Sequence, residues 1–172
     1  MSESLRRLIR DVPDFPKPGI LFRDITPLLA NGPALREAVE AIAEPWRGKV
    51  DVVLGIESRG FILGAPVAVH LGVGLAIVRK PGKLPSDIRQ MTYDLEYGTD
   101  TLEIHSDAVA PGSRVLLVDD LLATGGTAAA SVQLIRALEG KPVGASFLIE
   151  LGFLSGRERL APVPVHTVIR YD

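Results

Sequence analysis

The chain has 172 residues, 47% hydrophobic and 23% charged, with a formal net charge of −2 and a sequence pI near 5.9. That length suits one domain with a substantial core, and the composition is that of a soluble globular protein without a long disordered tract. There is no cysteine, which excludes disulfides, thiol nucleophiles and cysteine-metal sites together, and the acidic balance argues against a general nucleic-acid surface.

The opening MSESLRRLIRD lacks the apolar core of a secretory signal and carries acids early. No apolar run reaches the roughly 18 residues of a membrane span, so a cytoplasmic protein with no membrane partner is expected. Residues 4–9 predict a short amphipathic helix through Leu5, Leu8 and Ile9. The following DVPDFPKPGILFRDITP has too many prolines for regular structure and is expected to wrap the surface, packed by Phe15 and Phe22. A helix then begins near Asn31, with Pro33 in its first turn and Leu35, Val39, Ile42 and Trp46 at helical spacing; Trp46 reads as packing.

Apolar segments at 50–56, 74–78 and 144–149, with helical stretches at 60–71 and 128–138, give strand–helix–strand order. The predicted fold class is therefore α/β, a mainly parallel central sheet flanked by helices. Between them, Tyr93, Leu95 and Tyr97 alternate, as do Leu102 and Ile104, with Gly98 in the middle. Residues 91–105 thus read as a projecting β-hairpin, and residues 81–90 as a mobile connection. No repeat, low-complexity tract or linker interrupts residues 1–172, which are expected to form a single domain.

Ligands on parallel sheets gather outside the strands' carboxyl ends. Three constellations fall there: Glu57-Ser58-Arg59-Gly60, Arg79-Lys80 with Lys83 in RKPGK, and Asp119-Asp120. The last belongs to the run RVLLVDDLLATGGT. Its residues 115–118 suit a strand covered on both faces, and the two acids are expected to end it. Such carboxylates are costly in a core but suit paired sugar hydroxyls and indirect cation binding. Ala123, Thr124, Gly125, Gly126 and Thr127 then form a small-residue loop at the amino end of a helix, where a phosphate fits. Each part has a plainer reading. TGGT is a common kind of βα turn, Ser58 can cap a helix beside a solvated Arg59, and the RKPGK cations can be a solvated cluster.

The whole run resembles the binding motif for phosphoribosyl pyrophosphate (PRPP) in the type I phosphoribosyltransferase family. By that resemblance Asp119 and Asp120 face the ribose hydroxyls and residues 123–127 wrap the 5′-phosphate. Glu57, Ser58 and Arg59 match the family's pyrophosphate loop, where members often hold a non-proline cis peptide. Arg79, Lys80 and Lys83 would add cations, and Arg79 corresponds to a basic residue that reaches a neighbouring subunit in some relatives. The stretch DFPKPGILFRDITP and the tetrad LEYG at 95–98 resemble the adenine-specific branch, and GRERLAP at 156–162 recurs there in similar form. In that branch the residue matching Phe22 stacks on the purine, and backbone groups around Leu21 and Arg23 read its edge. The residue matching Glu96 stands near the reacting base; unaided, Glu96 reads as an exposed hairpin acid.

The resemblance implies a fold with a small N-terminal hood at about residues 1–32, and transfer of phosphoribosyl from PRPP to adenine, giving AMP and pyrophosphate. Glu96 and Arg59 would be the catalytic residues. Magnesium would be held through substrate and water, with no dedicated protein metal site, and a homodimer is implied. Two other readings stay open: a transferase for hypoxanthine or guanine, and a PRPP-sensing regulator that binds nucleic acid. Other motifs fail: the segment at 72–77 has Ile77 where GxGxxG needs glycine, no Walker A or GxSxG occurs, and His70, His105 and His166 lack metal-ligand spacing.

Overall fold

Helix α1 (Ser2–Arg6) buries Leu5 and hands over, through a buried Ile9, to an antiparallel ribbon of β1 (Arg10–Pro13) and β2 (Leu21–Asp24). The structure, a computed structural model, describes residues 2–94 and 98–172. Two expectations change here. The first helix ends by Arg6, and the proline-rich stretch is partly regular, pairing Asp11 with Arg23 and Val12 with Phe22. The reason is placement: Pro13 closes β1, and Pro16 and Pro18 fall in the connecting turn, where a missing N–H costs no ladder bond.

A one-turn helix α2 (Thr26–Leu29) precedes α3 (Gly32–Ala43), whose start is fixed by Asn31; its side-chain oxygen accepts from the Ala34 N–H at 3.1 Å. Trp46 packs as expected. A Cβ on Gly144 would stand 1.9 Å from its ring, so only glycine lets that strand pass.

Next come β3 (Val52–Ile56), α4 (Arg59–Leu71) and β4 (Gly74–Val78), then the hairpin of β5 (Ile88–Asp94) and β6 (Thr99–His105). The chain ends with β7 (Arg114–Leu122), α5 (Gly126–Ala137), β8 (Lys141–Leu151) and β9 (Val165–Tyr171). The central sheet is parallel throughout, in the order β4-β3-β7-β8-β9. Strand β9 escapes the sequence reading because His166 and Arg170 interrupt its apolar pattern. No helix among the described residues is long and apolar enough to cross a membrane.

One core layer joins Leu5, Ile42 and Leu63 to Leu116; the other joins Ile135 to Leu117, Phe147 and the fully buried Leu102 and Ile104 of the hairpin. The hairpin is therefore rooted in the core. Strand β7 also does not stop at its two acids. Partner β8 carries the pairing on to Leu122 opposite Glu150, whereas β3 pairs with β7 only as far as Val118. Helix α4 carries the chain from β3 toward β4, and α5 carries it from β7 the other way, toward β8. A crevice opens at that switch point.

Candidate active site

The crevice is a cleft of about 380 Å³ lined by Glu57, Ser58, Arg59, Lys80, Asp119, Asp120 and residues 121–128. Its floor depends on close backbone approach. A Cβ on Gly60 would meet Asp119 Oδ1 at 2.9 Å, so glycine lets the start of α4 lie against the end of β7. Gly125 turns with φ +81°, and a Cβ there would lie 2.4 Å from the Gly156 carbonyl oxygen. The turn brings the first residues of α5, Gly126, Thr127 and Ala128, to the cleft wall, and a helix start at a cleft suits a phosphate.

Arg59 leans on Asp120, with Nε 3.0 Å from Oδ2. Burial pushes the Asp119 carboxyl well above its usual range, and repulsion from Asp120 adds to the effect. Burial also raises Asp120, against the pull of the Arg59 guanidinium. Two acids crowded just past the point where β3 stops pairing with β7 are therefore held ready for a partner that brings hydroxyls or positive charge. Among the described residues, no group of three or more metal-ligating side chains comes together.

The peptide between Glu57 and Ser58 is cis. Glu57 turns toward the cations: it is ion-paired with Lys83, accepts from Arg79 Nε at 3.3 Å, and accepts from the Lys80 backbone N–H at 2.9 Å. Burial alone would raise its pKa, but the Lys83 ammonium and the Lys80 amide outweigh that and hold it below the usual range. Of the three RKPGK cations, Lys80 lines the cleft, while Arg79 and Lys83 are gathered behind it by Glu57.

At the mouth, Phe22 of the ribbon lies 5.0 Å from the Arg59 guanidinium carbon and meets Phe15 edge-on at 5.1 Å. The Arg23 side chain points elsewhere, ion-paired with Asp11 and stacked 3.8 Å above Tyr171. The Arg23 guanidinium is thus committed within the ribbon and to the last strand. Glu96 lies outside the described residues. His70 meets Glu44 at 3.3 Å and His166 meets Ser146 at 3.0 Å, contacts that suit structural roles.

Two groups of residues went unnoticed in the sequence. Tyr93 and Asp100, paired across the hairpin, reach Thr127 and Lys80. The signal was available, since Asp100 shares its alternating face with the buried Leu102 and Ile104. Behind the loop at 123–127, Gly156 packs on Ala123 and Gly125, and Arg157 anchors that turn through a 2.6 Å ion pair to the buried Glu150. Only the recurring text at 156–162 hinted at this support.

Residues 26–163 match the family model described as the phosphoribosyl transferase domain. The chain is 57% identical, over 98% of its length and 96% of the relative's, to adenine phosphoribosyltransferase of Thermobifida fusca (strain YX). A crystal structure of adenine phosphoribosyltransferase from Thermoanaerobacter pseudethanolicus superposes with a TM-score of 0.97 at 49% identity, covering 99% of this chain and 100% of that one. The Saccharomyces cerevisiae enzyme, solved with an imino-altritol bisphosphate and adenine, gives a TM-score of 0.92 at 41% identity, with 97% of each chain covered.

Proposed function

The chain belongs to the phosphoribosyl transferase family, and we propose that it transfers the phosphoribosyl group of PRPP to adenine, forming AMP and pyrophosphate for purine salvage. The observation that carries this is the floor of the cleft. Two acids in the last part of β7 share one cleft with the glycine-turned start of α5, and Arg59 and Lys80 line the same space.

In this reading residues 123–127 hold the 5′-phosphate through amides and hydroxyls, and Asp119 and Asp120 accept hydrogen bonds from the ribose hydroxyls. Ser58, Arg59 and Lys80 face the pyrophosphate. Glu57 positions Lys80, Arg79 and Lys83 around it, a supporting rather than contacting role. The adenine ring stacks on Phe22, and its donor and acceptor edge meets the main chain at Leu21 and Arg23. A purine nitrogen attacks the anomeric carbon as the bond to the pyrophosphate oxygen breaks. Positive charge that builds on the sugar is balanced by the acids below it, and the departing anion by Arg59 and Lys80. Glu96 takes up the proton that the purine nitrogen loses.

The oxygen donors of Asp119 and Asp120 fit a magnesium ion carried mainly by substrate oxygens and water, and such an ion would neutralise the leaving diphosphate. The chain acts as a single domain in the cytoplasm and pairs with a second copy. The large apolar side chains Ile62, Val69 and Leu75, at least 40% exposed on α4 and β4, support that pairing.

A product panel tests the reading. With PRPP and magnesium, adenine should yield AMP while hypoxanthine and guanine yield little IMP or GMP. Preferential IMP or GMP would reassign the base, and no product with any base would favour a PRPP-sensing regulator.

A further inference from the structure

Two groups in the cleft are already engaged by the hairpin. The Lys80 ammonium is ion-paired with Asp100, and the same Asp100 oxygen accepts from the Tyr93 hydroxyl at 3.1 Å. Tyr93 also lies 3.0 Å from the Thr127 hydroxyl. A phenol has one proton to give. With the Tyr93 proton given to the carboxylate, the contact with Thr127 closes only if Thr127 donates, and the Thr127 hydroxyl then offers only lone pairs to the cleft. A phosphate oxygen arriving there would meet an acceptor where it needs a donor. The carboxylate at the hub stays charged: burial favours its neutral form, but the Lys80 ammonium and the Thr101 amide hold Asp100 below its usual range. Asp100 and Tyr93 sit in paired strands rooted by the buried Leu102 and Ile104, so this is a built contact rather than a loose surface one.

We propose that Asp100 and Tyr93 set the affinity of the cleft by competing with substrate: Asp100 occupies Lys80 at the pyrophosphate end, and Tyr93 occupies the Thr127 proton at the 5′-phosphate end. Both are positioning residues that act through others, and the proposal rests on the phosphoribosyl reading of Lys80 and Thr127. It gives the hairpin a task at the site. Entry of PRPP exchanges two internal contacts for two substrate contacts, and departure of pyrophosphate is helped because Asp100 reclaims the lysine. A purely structural hairpin network makes the opposite forecast, since loosening it would weaken binding at both ends.

Calorimetric titration of the full chain with inorganic pyrophosphate and, separately, with AMP, each with magnesium, decides between them. Asp100→Asn should bind pyrophosphate about threefold more tightly and leave AMP nearly unchanged, because the asparagine oxygen still accepts from Tyr93. Tyr93→Phe should do the reverse, tightening AMP about threefold through the freed Thr127 hydroxyl. Weaker or unchanged pyrophosphate binding in Asp100→Asn, or weaker or unchanged AMP binding in Tyr93→Phe, overturns the proposal. Thermal melting checks the fold of each variant, and Asp100→Ser replaces Asp100→Asn if the latter unfolds. Failure of the wild type to make AMP from PRPP and adenine would remove the functional reading, while the pyrophosphate titrations would still decide the competition.

Discussion

The floor of the cleft and the hood at its mouth are held by different forces. The floor grows from β3 and β7, whose side chains Leu54, Ile56, Leu117 and Val118 are buried, and its loops touch through glycines where no Cβ fits. The hood is a two-stranded ribbon tied by Arg10 to Asp24 at 2.6 Å, by Arg23 to Asp11, and by Arg23 stacked on Tyr171. Isolated two-stranded ribbons are marginal, and exposed ion pairs add little against water and salt. The contrast fits the two halves of the proposed reaction. A rigid, core-backed floor suits the sugar phosphate, whose charge must be met by preorganised donors, whereas a lightly held ribbon suits a flat base that is admitted and then covered.

Breaking the floor should have the largest effect, and its sign on stability is informative. Asp119→Asn should lower kcat/KM for PRPP by about 10–100-fold, the worth of a hydrogen bond to a charged group. The fold should not suffer. Burial and Asp120 raise the Asp119 pKa in the folded protein, so the native state holds its proton more tightly than the unfolded chain does. Stability from this group is therefore present at low pH and is lost as pH rises through the unfolded value toward the folded one. Asparagine removes that loss, so melting at neutral pH should occur at an equal or higher temperature than in the wild type. A lower melting temperature with retained activity would make Asp119 structural and collapse the contrast.

The same division explains what was legible in the sequence. Floor residues declare themselves because each pairs a local signal with a topological one: an apolar strand, then charge or glycine, then a helix, at the carboxyl end of a parallel sheet. Arg59, Asp119 and Gly125 follow that rule, while Lys80 keeps only its first half, since β4 leads through it to β5 and not to a helix. The extent of β7 did not, because its last residues are set by the length of β8, a partner distant in sequence. Support from Gly156 depends on a long-range contact that no local pattern encodes, and at Asp100 the alternation gives the face but not the distant partners Lys80 and Thr127. In the hood, prolines hid a ribbon whose pairing spans the turn they occupy, and Phe22 stood out only through family resemblance.

A smaller effect should follow from cutting the hood at its aromatic. Phe22→Ala should raise the KM for adenine about tenfold, the cost of losing one base–aromatic stack. The KM for PRPP should stay within about twofold, because sites that share no partner act nearly independently. Initial rates with each substrate varied in turn measure both. A matched rise in the two constants would mean that Phe22 acts through Arg59, 5.0 Å away, and that hood and floor are one unit.

The smallest effect probes how the hood is tied down. Asp24 accepts from the Thr26 amide at 2.9 Å and from Arg10 Nη2 at 2.6 Å. The Thr26 amide, followed by Arg10 and the Thr26 hydroxyl, holds its pKa down to about 2, from an ordinary 3.8. A depressed carboxylate stabilises the fold above its unfolded pKa, and that stabilisation is lost as pH falls through the folded value. The tie is therefore intact across the neutral range and loosens only in strong acid. The amide proton resonance of Thr26, followed by NMR as pH is lowered, should move with a midpoint near 2. A midpoint near 3.8 would mean that Arg10 and Thr26 do not hold the carboxylate in solution, leaving Arg23 on Tyr171 as the anchor of the ribbon.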